Sequence, residues 1–552
     1  MYKRQVLDLS VGTPEDGGVT FRVAVEGAGQ ESVVLSRTVT TAYRWERRTV
    51  DLGAFAGRTV TLALSARADR AGTLAFWGAP AVRARVEAAS GAPPQLVLLV
   101  QGDTLRPDHL DAYGYERATA PTLKRLAQEG ALFRHAISQT GWTKASAPSI
   151  LTSLYPSTHG VHKIPDRLPS SAQTIAESYR QAGYATASFS SVVFTGAFSN
   201  LHQGFEELHE VESTAGRAGP EGAKTSREYV DRLLDWIEAH RDVPSFVFLH
   251  VMDPHSPYVP NRPYDTVWAD PAEREEYQRQ QKVLKDFIEA PTMAMRGMAT
   301  EDELRKAGLD PAWYIRHSKD WYDGSILGMD RELGRVVEAL EAGGRSSRAL
   351  VAFLADHGEE FHEHGEMFHG QSVYGEMIRV PLILWAPGRI APGTEVQDTV
   401  QLVDVMPTLL DFSGLAVPRE AQGLSLRPLL AGGPVPVAWK DRPAFAEKQP
   451  TGAPEARGIG ESYAIVEGRF KLIHHVVRPP KAPEYELFDF AADPLDQKDV
   501  AAANGEVVAR LARLLEAWKR TARAARLQPD DELARGLSPE QLETLRSLGY
   551  VK

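Results

Sequence analysis

Two apolar runs that each stop at an acidic residue constrain this chain more than any other feature. Leu96 to Val100, followed by Gln101, is a continuous β-rich run set between Pro94 and Gly102. Such a run is what a strand buried on both faces of a parallel sheet requires. Asp103 then sits just past its carboxyl end, the edge at which open α/β sheets bind ligands. A helix cap is the competing use for an Asp before a turn. The second run, Ala349 to Ala355, ends in Asp356-His357-Gly358-Glu359. Carboxylates gathered from two strand ends repel each other unless a cation lies between them, and oxygen donors with one imidazole suit a divalent cation. A metal site is the economical expectation.

The 552 residues exceed one ordinary domain, so two or three cores are expected. Residues 1 to about 90 alternate apolar and polar over short runs, as in Val19 to Val25 and Thr59 to Leu64, the pattern of an antiparallel β-sandwich. Tyr43, Trp45 and Trp77 offer either a sugar-binding platform or, more commonly in a small sandwich, core. Arg83 to Pro94 reads as a linker. From Gln95 strands alternate with helical patterns, as in an α/β sheet: helices at Pro121–Gly130, Thr174–Gly183, Tyr322–Leu340 and Val403–Phe412, strands at Ala185–Phe189, Phe246–Val251 and Val380–Trp385. Pro260 to Trp313 reads as a polar insertion, lid or surface. After about residue 440 short antiparallel strands return, closed by a helix from Gly505 to Arg526.

A net charge of −11 argues against nucleic acid, whose phosphates need a basic face. The chain has no cysteine, which excludes disulfides, thiolate metal sites and a cysteine nucleophile. No run approaches the roughly 18 apolar residues of a membrane span. The opening residues carry no signal-peptide core. If the chain is a trimmed piece of a longer precursor, export to the periplasm or the medium is the expectation; its location is otherwise open.

Several stretches, in order, carry a resemblance: DTLRPDHLDAYGY from Asp103, APTLKRLAQEGALF from Ala120, WTKASAPSILTSLYPSTHGV from Trp142, DPHSPY from Asp253, DHGE from Asp356, HGQSVYGEMIRVPLILWAPG from His369, VDVMPTLLDFSG from Val403, and the tail GRFKLI with YELFDFAADP. Over roughly residues 95 to 520 the chain resembles the sulfatase family of the alkaline phosphatase superfamily. The resemblance implies an alkaline-phosphatase-like α/β sulfatase core over 95–440. It also implies a C-terminal antiparallel-sheet and helix subdomain over 441–552, while the alternation over 1–90 puts a jelly-roll-like β-sandwich in front. It implies a divalent cation held by Asp103, Asp356 and His357, with Thr104 where many sulfatases have a second Asp. Calcium leads as the expected ion, with manganese, magnesium or zinc as alternatives; Thr104 leaves the site less negative than a typical sulfatase site, which weighs against calcium.

The nucleophile position decides the chemistry. Many sulfatases carry C/S-x-P-S-R, whose first residue is oxidised to formylglycine. Ser146-Ala147-Pro148-Ser149 imitates it, but Ile150 replaces the Arg and the distance to Thr152-Ser153-Leu154-Tyr155-Pro156 is three residues too short. Counting back without gaps lands on Thr143, which matches the WT-x-x-S variant, and no formylglycine is expected. A hydroxyl at a helix start and beside a cation ionises more readily, and the exposed amides there receive an anionic ester. Its competing use is as an N-cap. His255 matches the family's substrate-binding His, and His369 falls near a basic contact that is often Lys. Ser190 to Val193 stand where sulfatases carry G-K-W-H, so Lys144 is expected to replace some of that charge. His159, His362 and His364 are read as structural or rim.

The leading reading is a metal-dependent hydrolase of sulfate esters using a metal-bound hydroxyl. A Thr adduct must be attacked by water or an alcohol, which phosphoryl chemistry tolerates well. A phosphodiester or phosphonate hydrolase, or a phosphoalcohol transferase, is therefore the alternative. A catalytically weak, glycan-binding sulfatase-like protein is the rival from another class. The partner expected is a small-molecule or glycan sulfate or phosphate ester.

Overall fold

The computed structural model describes residues 5–27, 30–84, 92–210, 225–287, 300–433, 435–450 and 460–530. Six strands form the front of the chain: β1 (Gln5–Gly12), β2 (Val19–Gly27), β3 (Gln30–Val39), β4 (Glu46–Asp51), β5 (Thr61–Ala68) and β6 (Phe76–Ala84). They make two three-stranded antiparallel sheets, β4-β1-β6 and β3-β2-β5. The alternation in the sequence puts Leu7, Leu9, Val11, Val19, Phe21 and Val23 into one shared core. Trp77 packs against that core, edge-on to Phe21 at 5.1 Å. Tyr43 and Trp45 do not: they are 86% and 57% exposed, so the expectation of core aromatics fails there. Trp45 lies over Gly12 and Gly78, where an added Cβ would come within 3.1 Å of its ring, and shows its other side to solvent.

Behind the sandwich stands an eight-stranded sheet built from β7 (Leu96–Gly102), β8 (Ala131–Ile137), β9 (Ala185–Phe189), β10 (Glu207–His209), β11 (Ser245–Val251), β12 (Ala349–Ala355), β15 (Arg379–Trp385) and β16 (Thr394–Gln401). Its order is β10-β9-β11-β7-β12-β15-β8-β16. All seven residues of β7, β11 and β12 are buried, the reason these strands read as unbroken apolar runs. β7 lies between β11 and β12, parallel to both, with Gly102 opposite Val251 and Ala355. That register brings the residues just past the two predicted strand ends side by side.

Helices Pro121–Glu129, Ser226–Ala239 and Pro311–Ala342 pack together as one group, and Thr143–Thr152, Ile175–Gln181 and Val405–Phe412 as another. Thr174 and Glu177 cap the helix 175–181 reciprocally, Glu177 N–H on Thr174 Oγ1 at 3.1 Å and Thr174 N–H on Glu177 Oε2 at 2.9 Å. The expected helix from Tyr322 begins earlier, at Pro311, with Asp310 as its cap. Within the polar insertion, helices Arg274–Phe287 and Glu301–Lys306 bury Tyr277, Leu284 and Leu304 in the main core. β17 (Ala444–Lys448), β18 (Glu461–Glu467), β19 (Phe470–Val477) and β20 (Tyr485–Asp489) form the C-terminal antiparallel sheet, and helix Gly505–Ala524 packs Leu511 and Leu515 on it. The hairpin β13 (Glu360–Phe361) and β14 (Met367–Phe368) follows the Asp356 loop. Part of the linker, 85–91, and the tail from 531 lie outside the described residues.

Candidate active site

Three adjacent strands deliver the acidic centre. Asp103 leaves β7 with its N–H on Val251 O at 3.0 Å, and Asp356 leaves β12 beside it. His357 Nε2 lies 3.4 Å from Asp103 Oδ1 and 3.6 Å from Asp356 Oδ2. Its Nδ1 meets Gly358 O at 2.9 Å, so the Nδ1 proton is spent on a carbonyl and the Nε2 lone pair faces the carboxylates. Gly358 is required here, because a Cβ would fall 1.9 Å from Glu376 O. From β11 comes His250, with Nε2 3.4 Å from Asp103 Oδ2. Ligand atoms of Asp103, His250 and Asp356 lie within 4.8 Å of one another, all buried.

Thr143 is the first residue of helix Thr143–Thr152; Trp142 is the N-cap and contributes no side-chain bond. The N-cap use of Thr143 is thereby set aside. Its Oγ1 lies 3.3 Å from Asp103 Oδ1 and 3.1 Å from His357 Nε2. Ser146, one turn on, points elsewhere: its Oγ donates to Asp356 O at 2.8 Å, where Ser138 Oγ also donates. Ser146 therefore pins the Asp356 backbone. The Asp103 turn is pinned in the same way: Tyr322 donates to Thr104 O at 2.7 Å and accepts from Arg106 N–H at 2.9 Å. Thr104 is buried with φ of 56° and its hydroxyl lacks a partner.

Burial by itself would raise the Asp103 carboxyl, but the protonated forms of His255, His250 and His357 hold it below its ordinary range. Asp356 goes the other way, pushed up to about 6 by burial. Beyond His357 stand two further imidazoles, His255 and His369, with rings 4.8 Å apart, and His369 lies 4.7 Å from His357. Burial lowers them to about 4 and about 3, so both are neutral at pH 7. His255 Nδ1 meets Ser256 O, and His369 Nδ1 meets Glu359 Oε1 at 3.1 Å. Burial raises Glu359 to about 8, which keeps it protonated at neutral pH.

With this geometry in hand, comparison with known proteins is decisive about kinship. The sulfatase family model matches residues 95–415, and that of the N-sulphoglucosamine sulphohydrolase C-terminal region matches 362–521. The chain belongs to the sulfatase family. That makes it a sulfuric or phosphoric ester hydrolase of the alkaline phosphatase superfamily. Similar proteins include the N-acetylglucosamine-6-O-sulfatase of Bacteroides thetaiotaomicron, 23% identical over 74% of this chain and 82% of that one. The multifunctional alkaline phosphatase superfamily protein PehA of Trinickia caryophylli is 26% identical over 72% and 91%. Among solved structures, the phosphonate monoester hydrolase of Silicibacter pomeroyi superposes with a TM-score of 0.61 at 24% identity, over 80% and 99%.

In this sulfatase-family site the acidic and imidazole groups suit a divalent cation. Asp356 Oδ2 and His250 Nε2 are buried side-chain atoms without hydrogen-bond partners, which suits them to ligate a cation. Lys144 takes a separate course. It is fully buried, its Nζ donates to Ser199 Oγ at 2.8 Å, and it lies 4.6 Å over the Phe198 ring. Where G-K-W-H is missing, Val192, Val193 and Phe194 form an apolar cluster with Met252, and Phe194 meets Trp142 edge-on at 6.1 Å. His159 and His364 are structural: His159 meets Ser149 Oγ at 3.1 Å, and His364 meets Glu376 at 2.8 Å. Sequence reading missed His250. Its signal was a lone imidazole in the apolar strand Phe246 to Val251, in register with Gln101 two residues before Asp103.

Proposed function

We propose that this chain is a divalent-metal-dependent hydrolase of anionic sulfate or phosphoryl esters in which Thr143 is the nucleophile. The observation that carries the reading is the placing of Thr143 Oγ1 between Asp103 and His357 at the start of a ten-residue helix. Asp103, Asp356 and His357 would hold the cation. When bound, that ion favours the ionised hydroxyl and offsets the charge of the ester. Thr143 Oγ1 then forms a bond to phosphorus or sulfur as the bond to the leaving alcohol oxygen breaks. The positive end of the helix supports the anion through its first-turn amides.

The paired imidazoles divide the remaining work by tautomer. A protonated Glu359 donating to His369 Nδ1 leaves the His369 proton on Nε2, a donor to an ester oxygen. His255, whose Nδ1–H is spent on Ser256 O, presents Nε2 as the acceptor that takes a proton from the water attacking the Thr143 adduct. That water step favours phosphoryl over sulfuryl substrates, because Thr143 has no second hydroxyl from which to eliminate. Phosphodiesters and phosphonate monoesters, the latter named for the structural neighbour, are thus the preferred substrates, and the apolar Val192–Phe194 cluster suits an apolar leaving group. The sulfated sugar named for the Bacteroides relative is the second reading.

Parallel turnover of an aryl sulfate, an aryl phosphodiester and an aryl phosphonate, with calcium, magnesium, manganese or zinc, tests this. Expected is metal-dependent turnover, abolished by chelation, at least about tenfold faster on the phosphoryl substrates, a difference of about 1.4 kcal/mol in barrier. Faster sulfate turnover would reverse the substrate order. Silence on all three, with retained binding, would point to the glycan-binding alternative.

A further inference from the structure

We infer that His250 is a ligand of the same cation, so that the site presents two imidazoles with two carboxylates and selects a borderline transition metal over calcium. The inference rests on the reading that Asp103, Asp356 and His357 hold a divalent ion. His250 is completely buried in the β11 strand, and its Nε2 points at Asp103 Oδ2 from 3.4 Å without a hydrogen bond. An imidazole left in that state is costly inside a protein unless a further partner completes it. The opposite nitrogen is fixed: Nδ1 lies 2.6 Å from Ser191 Oγ. With Ser191 accepting, the Nδ1 proton is spent and the Nε2 lone pair is directed at the carboxylates, the orientation that outer hydrogen bonds impose on ligating histidines.

The layout is two-sided. His357 approaches Oδ1 of Asp103 and His250 approaches Oδ2, while Asp356 Oδ2, 3.6 Å from His357 Nε2, has no hydrogen bond. Calcium fills its shell with six to eight oxygens, whereas imidazole suits zinc, iron, copper and nickel. Two nitrogen donors flanking the Asp103 carboxylate, one on each oxygen, fit the second kind of ion. Ser191 acquires a role as well. It stands in the segment that replaces G-K-W-H, and there it orients His250 in place of the missing basic groups.

The test is metal binding to the full chain, stripped by chelation, without any substrate. Zinc and calcium affinities are measured by calorimetry, and cobalt is added as a probe whose visible absorption reports nitrogen ligands. His250→Gln and Ser191→Ala are compared with the unaltered chain, with melting curves to check folding. Expected are zinc binding at least about 100-fold tighter than calcium, a loss of that order in zinc affinity for His250→Gln with a changed cobalt spectrum, and a loss of about tenfold for Ser191→Ala. Calcium affinity should barely respond to either variant. An unaltered cobalt spectrum and zinc affinity in a folded His250→Gln chain would overturn the inference while leaving the metal site standing. Should His250→Gln fail to fold, Ser191→Ala decides by the same two readings. If the unaltered chain takes up no divalent ion, the metalloenzyme reading itself fails, and the role of His250 goes with it.

Discussion

Thr143 Oγ1 lies 3.1 Å from His357 Nε2, although the two residues are 214 positions apart in the chain. Helix geometry then separates the two candidate hydroxyls, since Ser146 one turn later turns to the Asp356 carbonyl and the Ser138 hydroxyl.

Thr143→Ala is expected to lower kcat by at least about 1,000-fold with the fold intact, because the covalent route disappears. Thr143→Ser should keep measurable turnover, since the hydroxyl survives. Ser146→Ala leaves Ser138 on the Asp356 carbonyl. It should cost about 1 kcal/mol of stability and less than about tenfold in kcat. Mass spectrometry of trapped enzyme locates the adduct, and a covalent group on Ser146 would overturn the assignment.

The parts of this molecule legible in the sequence were those whose residues have one structural use. β7 and β12 announced themselves because a strand buried on both faces must be apolar throughout, and Asp103 and Asp356 followed as their polar stops. β8, β16 and β17 were not foreseen. β16, Thr394–Gln401, is an edge strand with polar residues and a register shift, so no apolar period marks it. His250 was hidden because one imidazole in a strand has many structural uses, and only the β7–β11 register shows which carboxylate it faces. Tyr43 and Trp45 misled because they stand in the turn between β3 and β4, where no strand period marks which side chains are covered.

Arg106 is buried and links the two catalytic turns, donating to Glu359 O at 3.0 Å and pairing with Asp108 and Glu363 at 2.6 and 2.8 Å. Arg106→Met should destabilise the chain by about 3 kcal/mol at pH 7, because two carboxylates lose their partner. Burial would raise Glu363, but Arg106 and Lys319 bring it down to about 2. A carboxyl lowered in the folded state contributes stability that is full above its unfolded value, about 4.3, and lost as pH falls through about 2. Melting curves from pH 7 to pH 3 should therefore show the gap between the unaltered chain and Arg106→Met narrowing below about pH 4.5. A constant gap would mean that Glu363 is not held by Arg106.

The sandwich, expected as a separate domain up to about residue 90, is tied to the α/β core by specific contacts. Val6 is buried in the main core, and Arg83 pairs with Asp8 at 3.0 Å and with Glu206. Limited proteolysis between Ala88 and Pro94 should leave residues from 95 onward folded, with the sandwich fragment still bound in gel filtration. Arg83→Ala should release that fragment after cleavage, since Glu206 then loses its cation across the junction while Asp8 keeps only Arg47 of its own sandwich. Unfolding of the whole chain upon cleavage would count against the boundary.

Lys144 offers the sharpest separation between a structural and a substrate-binding role. Burial pushes its ammonium down to about 7, against the Asp166 charge, the Ser199 hydroxyl and the faces of Phe194 and Phe198. A lysine lowered in the folded state costs stability most fully below about pH 7, and the cost fades as pH rises toward the unfolded value of about 10.4. Lys144→Met keeps the stem and removes the charge, so it should melt higher than the unaltered chain at pH 6 to 7, and the difference should shrink by pH 10. Phosphate or sulfate at millimolar concentration distinguishes the two roles. If Lys144 receives the substrate anion, the oxyanion stabilises the unaltered chain more than Lys144→Met, and KM rises in the variant with kcat less affected. Equal stabilisation of both proteins and an unchanged KM would leave Lys144 as a packed residue behind the nucleophile.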